Sequence, residues 1–273
     1  MFDPEHPTLK SRMAAGECLA LAWLTLGSVA MAEAVARARP DAIVIDMQHG
    51  LWERRDLESA IGLIPRDLPV IVRVAENSPL AIGTALDAGA EGVMVPLVET
   101  LADAKRALQS SRYPPRGKRS GGGVRPLQNF AAYVKNAGEL VVILMIETAA
   151  GLANASAIAQ VKGLDMVFIG TGDMALSLQA PGGQAQHTAA CERIQRACRA
   201  ASVRCGVFTG SAQSAAEHRA LGYDMVVVAN DMDVVSRGFA GACEAFRQSA
   251  PMAPARVAKA RLPKTATPRL KTR

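Results

Sequence analysis

The sequence predicts an α/β fold built on a parallel sheet, and three observations lead to this expectation. Short apolar runs rich in β-branched residues recur along the chain, and each is followed by an alanine-rich stretch of helical periodicity. The runs are apolar throughout, which is typical of strands covered on both faces. Eight such strand and helix pairs occupy about 230 residues, so closure into a (β/α)8 TIM barrel is favoured over an open, doubly wound sheet.

The elements follow one another in regular order. The predicted strands lie at 18–25, 41–45, 69–74, 92–96, 141–146, 165–169, 205–208 and 224–228. The predicted helices lie at 29–38, 55–63, 79–88, 100–110, 149–160, 188–201, 211–220 and 233–248, with an extra helix at 130–137. Ser28 and Ser211 are suited to N-capping, and Gly89 stands where a helix would end.

The domain organisation is simple. No linker or repeat divides residues 1–249, so we expect one barrel domain there. The segment 111–129 has too much Gly and Arg for regular structure, and a loop of that length in a compact domain is usually functional. Residues 250–273 hold seven Lys or Arg and no acid, so without them the formal charge of +6 becomes −1. Their low hydrophobicity predicts a disordered basic tail.

Charge, cysteines and targeting signals favour a soluble cytoplasmic protein. The tail suits solubilisation better than contact with nucleic acid or anionic lipid. Five cysteines without a C-x-x-C pair argue against a disulfide framework or a zinc site, and Cys191, Cys198 and Cys205 are expected to be small buried residues. The run CLALAWLTL follows basic residues as in a signal peptide, but Glu17 abuts it. No run is long enough to span a membrane.

Polar residues collect where the predicted strands end. The strand VVILMIE ends in Glu147, and Asp173 follows the next strand. Arg73 lies at the end of the third strand, and Asp46 and His49 follow the second. In a parallel barrel these positions meet on one face. Converging carboxylates repel one another unless a cation lies between them, and an all-oxygen site suits Mg²⁺ or Mn²⁺.

Each of these residues also has a structural interpretation. Glu147 or Asp173, taken singly, would suit the start of a helix. A buried Arg73 needs an anionic partner, which either a structural ion pair or a substrate carboxylate would supply. His49 is either a hydrogen-bonded structural residue or, with Asp46 three residues before it, an acid/base group. The run FIGTGDMA matches the dinucleotide-binding fingerprint only weakly, because no strand ending in an acid follows about 20 residues later.

Five segments together resemble the HpcH/HpaI family of metal-dependent class II aldolases. They are LAWLTLGSVAMAEAVARARPDAIVIDMQHG, PVIVRVAENSPLAIGTALDAGAEGVMVPLVET, YPPRGKRSGGG, MIETAAGLANASAIAQVKGLDMVFIGTGDMALSLQAPG and GYDMVVVANDMDVVSRG. The resemblance implies a (β/α)8 barrel, assembly into homo-hexamers that exchange the last helix, and reversible cleavage of 4-hydroxy-2-oxo acids with pyruvate as the nucleophile.

The resemblance also implies roles for single residues. Glu147 and Asp173 resemble the ligands of a divalent metal ion, which would be Mg²⁺, Mn²⁺ or Co²⁺. Arg73 resembles the arginine that holds the pyruvyl group and stabilises its enolate. Asp46 and His49 resemble the dyad that handles the proton on the 4-hydroxyl group.

Further implied contacts surround the substrate. Backbone N–H groups of Gly172 and Asp173 resemble the donors to the substrate carboxylate, Trp23 resembles a pocket aromatic residue, and Gln48 lies beside the metal and substrate. The chain departs from the family pattern at two places. Gln48 replaces the glutamate of a common GEH motif, which removes a negative charge, and Thr171-Gly172 replaces part of a GPAD motif.

The favoured hypothesis is therefore an aldehyde-lyase acting on 4-hydroxy-2-oxo acids of the 2-dehydro-3-deoxy-glucarate or 4-hydroxy-2-oxoheptanedioate type. No lysine stands clearly at a strand end to form a Schiff base. Two alternatives remain open. One is a malyl-CoA or citramalyl-CoA type of lyase on the same barrel, and the other is a non-catalytic barrel that binds oxo acids, or nucleic acid through its tail.

Overall fold

Eight parallel strands form a closed barrel in the computed structural model, which describes residues 6–178 and 183–249. The strands are β1 (Leu19–Leu24), β2 (Ala42–Asp46), β3 (Val70–Arg73), β4 (Gly92–Val95), β5 (Val141–Ile146), β6 (Met166–Ile169), β7 (Arg204–Val207) and β8 (Met225–Asn230). Each lies within two residues of its predicted bounds.

The sheet closes because β8 pairs with β1. Every strand pairs in parallel with the next along the chain, and Leu19 is aligned with Met225 where the first and last strands meet. The predicted barrel is thus confirmed, and the alternative of an open sheet is wrong. All carboxyl ends of the strands therefore open on one face, and all amino ends on the other.

Helices connect the strands. They are α1 (Leu9–Ala14), α2 (Val29–Arg37), α3 (Arg54–Leu63), α4 (Pro79–Ala88), α5 (Leu101–Ser111), α6 (Val124–Leu127), α7 (Phe130–Asn136), α8 (Ala149–Ala153), α9 (Ala155–Ala159), α10 (Thr171–Ser177), α11 (Gly183–Ala200), α12 (Ala212–Ala220) and α13 (Asp231–Gln248). The side chains of Ser28 and Ser211 cap α2 and α12 as expected. Gly89 ends α4 with a φ of 108°, a conformation that favours glycine.

Three helices and one break were not predicted. Helix α1 begins after Thr8, whose side chain caps it. One helical turn, α6, lies inside the segment 111–129, which was expected to have no regular structure. Helix α10 begins directly after Gly170, in a stretch to which the sequence analysis assigned no helix. The single helix predicted at 149–160 is broken into α8 and α9 at Asn154. The side chain of this residue donates to the backbone carbonyl of Glu99 at 2.8 Å.

The core has two parts. One lies between the sheet and the helices, and the other fills the barrel interior, with Phe168, Met94 and Ile143 among its buried side chains. Leu9 and Met13 of α1 belong to this inner part. Helix α1 therefore closes the amino-terminal end of the barrel, and functional groups are confined to the two ends.

The chain divides into two compact units, residues 1–236 and residues 237–273. The first contains the barrel, and the described part of the second is the remainder of α13. The predicted boundary at residue 249 and the predicted disordered tail of 250–273 lie at or outside the edge of the described residues. Within those residues no helix is long and apolar enough to cross a membrane. Cys191, Cys198 and Cys205 are free and buried, as expected.

Candidate active site

The carboxyl-terminal face of the barrel carries the polar residues that the sequence placed there. Asp46 and Arg73 are the last residues of β2 and β3, and Glu147 directly follows β5. Asp173 lies in the first turn of α10, just beyond β6. The strand order of a closed barrel therefore brings all four residues to one end of the molecule.

Asp46 and Arg73 form a buried ion pair. The strand register aligns the two residues, and Arg73 donates from Nε to Oδ1 at 2.8 Å and from Nη2 to Oδ2 at 2.5 Å. Burial acts to raise the pKa of Asp46, but the hydrogen bonds and charge of Arg73, with backbone N–H groups of His49 and Gln48, bring it below its ordinary value. The carboxylate thus stays ionised and fixes the guanidinium in a bidentate arrangement.

Trp23 supports this pair. Its Nε1 donates to Oδ2 of Asp46 at 3.3 Å, and the guanidinium carbon of Arg73 lies 5.0 Å from the centroid of its ring. The ring also meets Phe208 edge-on, with centroids 5.2 Å apart. Trp23 is only 2% exposed. It forms the floor under the guanidinium, and its direct contact with substrate stays a prediction.

Glu147 has an unsatisfied oxygen atom. The residue is 1% exposed, its Oε1 accepts the backbone N–H of Leu97 at 2.7 Å, and its Oε2 is buried without a hydrogen-bond partner among the described residues. Burial raises the pKa of Glu147, and the charge of Asp173 raises it further against the opposing effects of Leu97, Arg73 and His49. A buried acceptor without a donor is costly, so this atom is suited to a ligand that carries positive charge.

Gly170 provides the space in which that oxygen lies. A Cβ atom at position 170 would be 2.3 Å from Oε2 of Glu147 and 2.8 Å from its Cβ. By contrast, a Cβ at Gly172 would meet nothing within 4 Å. Only glycine at position 170 therefore leaves room for the carboxylate, while Gly172 leaves the first turn of α10 open beside Asp173.

His49 and Gln48 lie in the turn after β2. Their backbone N–H groups donate to Oδ1 of Asp46 at 3.3 and 3.0 Å. The imidazole of His49 is exposed, and in the described residues Asp46 makes no hydrogen bond to that ring because Arg73 and Trp23 occupy its carboxylate. The structure joins Asp46 to this turn through backbone contacts, and the role of Asp46 and His49 as an acid/base dyad stays a prediction. The charge of His49 still acts on Glu147, so the imidazole lies near the site.

The side chains fit a divalent cation. Glu147 Oε2 is an orphaned buried acceptor, Gln48 Oε1 is a second one, and the charge of Asp173 acts on Glu147. Oxygen atoms are the donors that Mg²⁺ and Mn²⁺ prefer. In residues 6–178 and 183–249 no group of three or more His, Cys, Asp and Glu side chains is placed to hold a metal.

A model of the HpcH/HpaI aldolase/citrate lyase family matches residues 19–237 of the chain. The chain belongs to this family. The match runs from the first strand of the barrel into α13, so it includes every residue of the site described above.

Relatives within the HpcH/HpaI family are similar over nearly their whole length. A hydroxypyruvate/pyruvate aldolase of Rhizorhabdus wittichii is 40% identical over 223 residues, which are 78% of this chain and 88% of the relative. A 4-hydroxy-2-oxovalerate aldolase of Rhodococcus jostii is 35% identical over 251 residues, covering 89% and 97%. The crystal structure of a family member from Burkholderia cenocepacia superposes with a TM-score of 0.82 at 33% identity, covering 88% and 98%. The protein is an HpcH/HpaI aldolase, and hence a lyase.

Sequence reasoning missed three contributors to the site. Leu97 supplies the N–H that binds Glu147, and it does so with a φ of 53°, a left-handed conformation that is unusual for leucine. Gly170 contributes because it has no side chain and so leaves room for the carboxylate of Glu147. Phe208, which directly follows β7, packs against Trp23. The GTG run was a usable signal for the glycine. Nothing in the local sequence marks Leu97.

Proposed function

We propose that this aldolase depends on a divalent metal ion and reversibly cleaves 4-hydroxy-2-oxo acids to pyruvate and an aldehyde. The observation that carries the proposal is the buried, unpartnered Oε2 of Glu147 at the end of β5. The relatives named as a hydroxypyruvate/pyruvate aldolase and a 4-hydroxy-2-oxovalerate aldolase support pyruvate as the shared component.

Arg73 would bind the 2-oxo acid and stabilise negative charge on it. Two of its nitrogen atoms are held by Asp46, and within residues 6–178 and 183–249 its Nη1 makes no hydrogen bond. That nitrogen is therefore available to an oxygen of the substrate. Since the bidentate pair and Trp23 hold the guanidinium before the substrate arrives, its charge needs no reorientation as the enolate forms.

His49 would take the proton from the 4-hydroxyl group. Its imidazole is exposed on the rim, while Asp46 is engaged by Arg73 and is a poor base because its pKa is lowered. As the proton moves to His49, the C3–C4 bond breaks and its electron pair forms the enolate of pyruvate. A proton then returns to C3 to give pyruvate, and the aldehyde leaves.

Glu147 and Asp173 would hold the metal ion, which supplies an electron sink for the 2-oxo group when it is bound. Gln48, with its buried unpartnered amide oxygen, lies where it would contact substrate or a bound water molecule. The backbone of Gly172 and Asp173 is proposed to contact the substrate carboxylate. Assembly into a homo-hexamer is part of the same proposal, and light scattering in solution tests it.

A lyase assay tests the function directly. The full-length protein, freed of metal and supplied with Mg²⁺, Mn²⁺ or Co²⁺, should release pyruvate from racemic 4-hydroxy-2-oxo acids, and EDTA should abolish this release. Undiminished turnover in EDTA would contradict metal dependence. Cleavage of malyl-CoA or citramalyl-CoA without activity on the free acids would contradict the proposed substrate class.

A further inference from the structure

A second cavity lies at the opposite, amino-terminal end of the barrel. It is a cleft of about 590 Å³ between α1, the segment that follows α5, and the loop before β6. Its charged side chains are four cations and one acid, namely Lys10, Arg112, Arg116, Lys162 and Asp165. The charged lining therefore has an excess of three positive charges.

Asp165 cannot neutralise this excess. Its Oδ1 pairs with Lys10 Nζ at 2.9 Å, and its Oδ2 pairs with Arg112 Nη2 at 2.9 Å. Oδ2 also accepts the backbone N–H of Val142 at 2.9 Å. Both oxygens are thus engaged. Arg116 and Lys162 form no ion pair with any residue that the structure describes.

The paired cations are held rigidly. Arg112 donates from Nη1 to the carbonyl of Leu140 at 2.8 Å, and Lys10 donates to the carbonyl of Gly138 at 2.8 Å. A Cβ atom at Gly138 would lie 3.9 Å from Nη1 of Arg116, so this second guanidinium lies over the same backbone. Two of the four cations are therefore held in place before an anion binds, which lowers part of the cost of binding.

Part of the wall of the cleft is apolar. Leu108 and Leu164 line it and are largely buried. Apolar walls lower the local dielectric constant and strengthen the attraction between an anion and the cations around it. A ligand with a small organic part beside its charged group would fit such a lining.

We propose that this cleft binds a small multivalent oxyanion. The side chains of Arg116 and Lys162 contact the anion, and the charges of Lys10 and Arg112 attract it. Arginine recognises the oxygens of phosphates and carboxylates through its planar fork, and lysine adds a point charge. An excess of three charges favours an anion with two or more charges over a monovalent one. The site is separate from the aldolase centre and does not rest on the proposed aldolase reaction.

Calorimetric titration of the full-length protein with pyrophosphate tests the proposal. The variant Arg116→Gln/Lys162→Gln removes the two unpaired cations, both of which are exposed, so the fold should persist. The control variant Lys105→Gln/Arg193→Gln removes one exposed lysine and one exposed arginine from α5 and α11, outside the cleft. We expect the cleft variant to bind pyrophosphate at least tenfold more weakly, and the control to bind as the wild type does.

Further titrations identify the source of the anion. At equal ionic strength, glycerol 3-phosphate, inorganic phosphate and succinate represent a phosphate ester, free phosphate and a dicarboxylate, and acetate should bind much more weakly than these. Equal affinity of the wild type, the cleft variant and the control variant for pyrophosphate would mean that other cations bind the anion, such as those of residues 250–273. That result would overturn the proposal. Cleft-dependent binding of an oligonucleotide, with no binding of any small anion, would also overturn it.

Discussion

The two ends of the barrel present opposite electrostatic situations. At the carboxyl-terminal end, Glu147 has a buried oxygen without a hydrogen-bond partner among the described residues. At the amino-terminal end, Arg116 and Lys162 line a cleft whose one acid, Asp165, is already engaged by two other cations. Each end thus has charge that the described residues do not balance, and the two ends favour ligands of opposite sign.

The difference shows how one fold separates two kinds of site. Glu147 follows the end of β5 and lies on the carboxyl-terminal face of the barrel. Leu140 and Asp165 precede β5 and β6 and lie on the amino-terminal face. The same two strands therefore carry parts of both sites. Substitutions matched in chemistry but placed at opposite ends test whether the two ends are independent.

The largest effect is expected for Glu147→Gln. It removes the carboxylate proposed to hold the metal, so turnover should fall by about 10² or more while the circular dichroism spectrum is unchanged. Glu139→Gln makes the same change just before the other end of β5 and should leave turnover close to that of the wild type. A normal rate in Glu147→Gln, measured as pyruvate released, would refute the role given to this residue.

Arg73→Ala should be next in size. It leaves Asp46 buried without its partner, so the free energy of unfolding should fall by about 3–5 kcal/mol in urea titrations, and turnover should also be lost. Arg112→Ala breaks a pair of similar burial at the other end. Because Lys10 still pairs with Asp165, this control should lose less stability and keep its turnover. Equal loss of turnover in both variants would show that Arg73 acts only through stability.

Gly170→Ala should lower both stability and activity. The added methyl group would clash with Oε2 of Glu147, and crowding of this kind costs about 1–3 kcal/mol. Gly172→Ala, two residues further along α10, adds a methyl group that meets nothing and should leave stability unchanged or slightly raised. Thermal unfolding of the two variants measures the difference, and similar melting temperatures would contradict the close approach at position 170.

The smallest expected effect is on the pH dependence of the free energy of unfolding. The pKa of Asp46 is lowered by Arg73 against burial, so its stabilising contribution is present above its ordinary value of 3.8 and is lost as pH falls through the folded pKa. The pKa of Glu91, near the other end, is raised by burial and by Glu139. Its contribution is present below the ordinary value of 4.5 and is lost as pH rises through the folded pKa.

Urea unfolding between pH 3 and pH 7 measures both groups. Asp46→Asn should reduce the loss of stability on acidification, and Glu91→Gln should reduce the loss on raising the pH. Identical pH profiles in wild type and variants would mean that these carboxyl groups have ordinary pKa values in the fold.

The strands could be predicted because each is an uninterrupted apolar run that the barrel buries on both faces. Local sequence also located Glu147 and Asp173, since a position just past a strand has one place in a parallel barrel. Helix α10 was missed because glycine at position 172 lowers helix propensity, although Asp173 in the first turn is favourable for a helix start. The break at Asn154 depends on a hydrogen bond to Glu99, which helical periodicity does not contain.

Contacts between distant residues could not be predicted. The sequence allowed two interpretations of Arg73, a structural ion pair or a contact with substrate. Only the register of β2 and β3 shows that Asp46 is its partner. The same pairing occupies the carboxylate of Asp46, which the sequence suggested as a partner of His49. The cationic cleft was invisible for a similar reason, because Lys10 and Lys162 are far apart in the sequence.

Helix α1 has a further consequence for any exchange between the two ends. Leu9 and Met13 close one end of the barrel, Trp23 lies towards the other, and hydrophobic side chains such as Met94, Ile143 and Phe168 pack between them. β5 and β6 cross this hydrophobic interior and reach both ends of the barrel. An anion in the cleft that shifted either strand would therefore also shift residues at the aldolase centre.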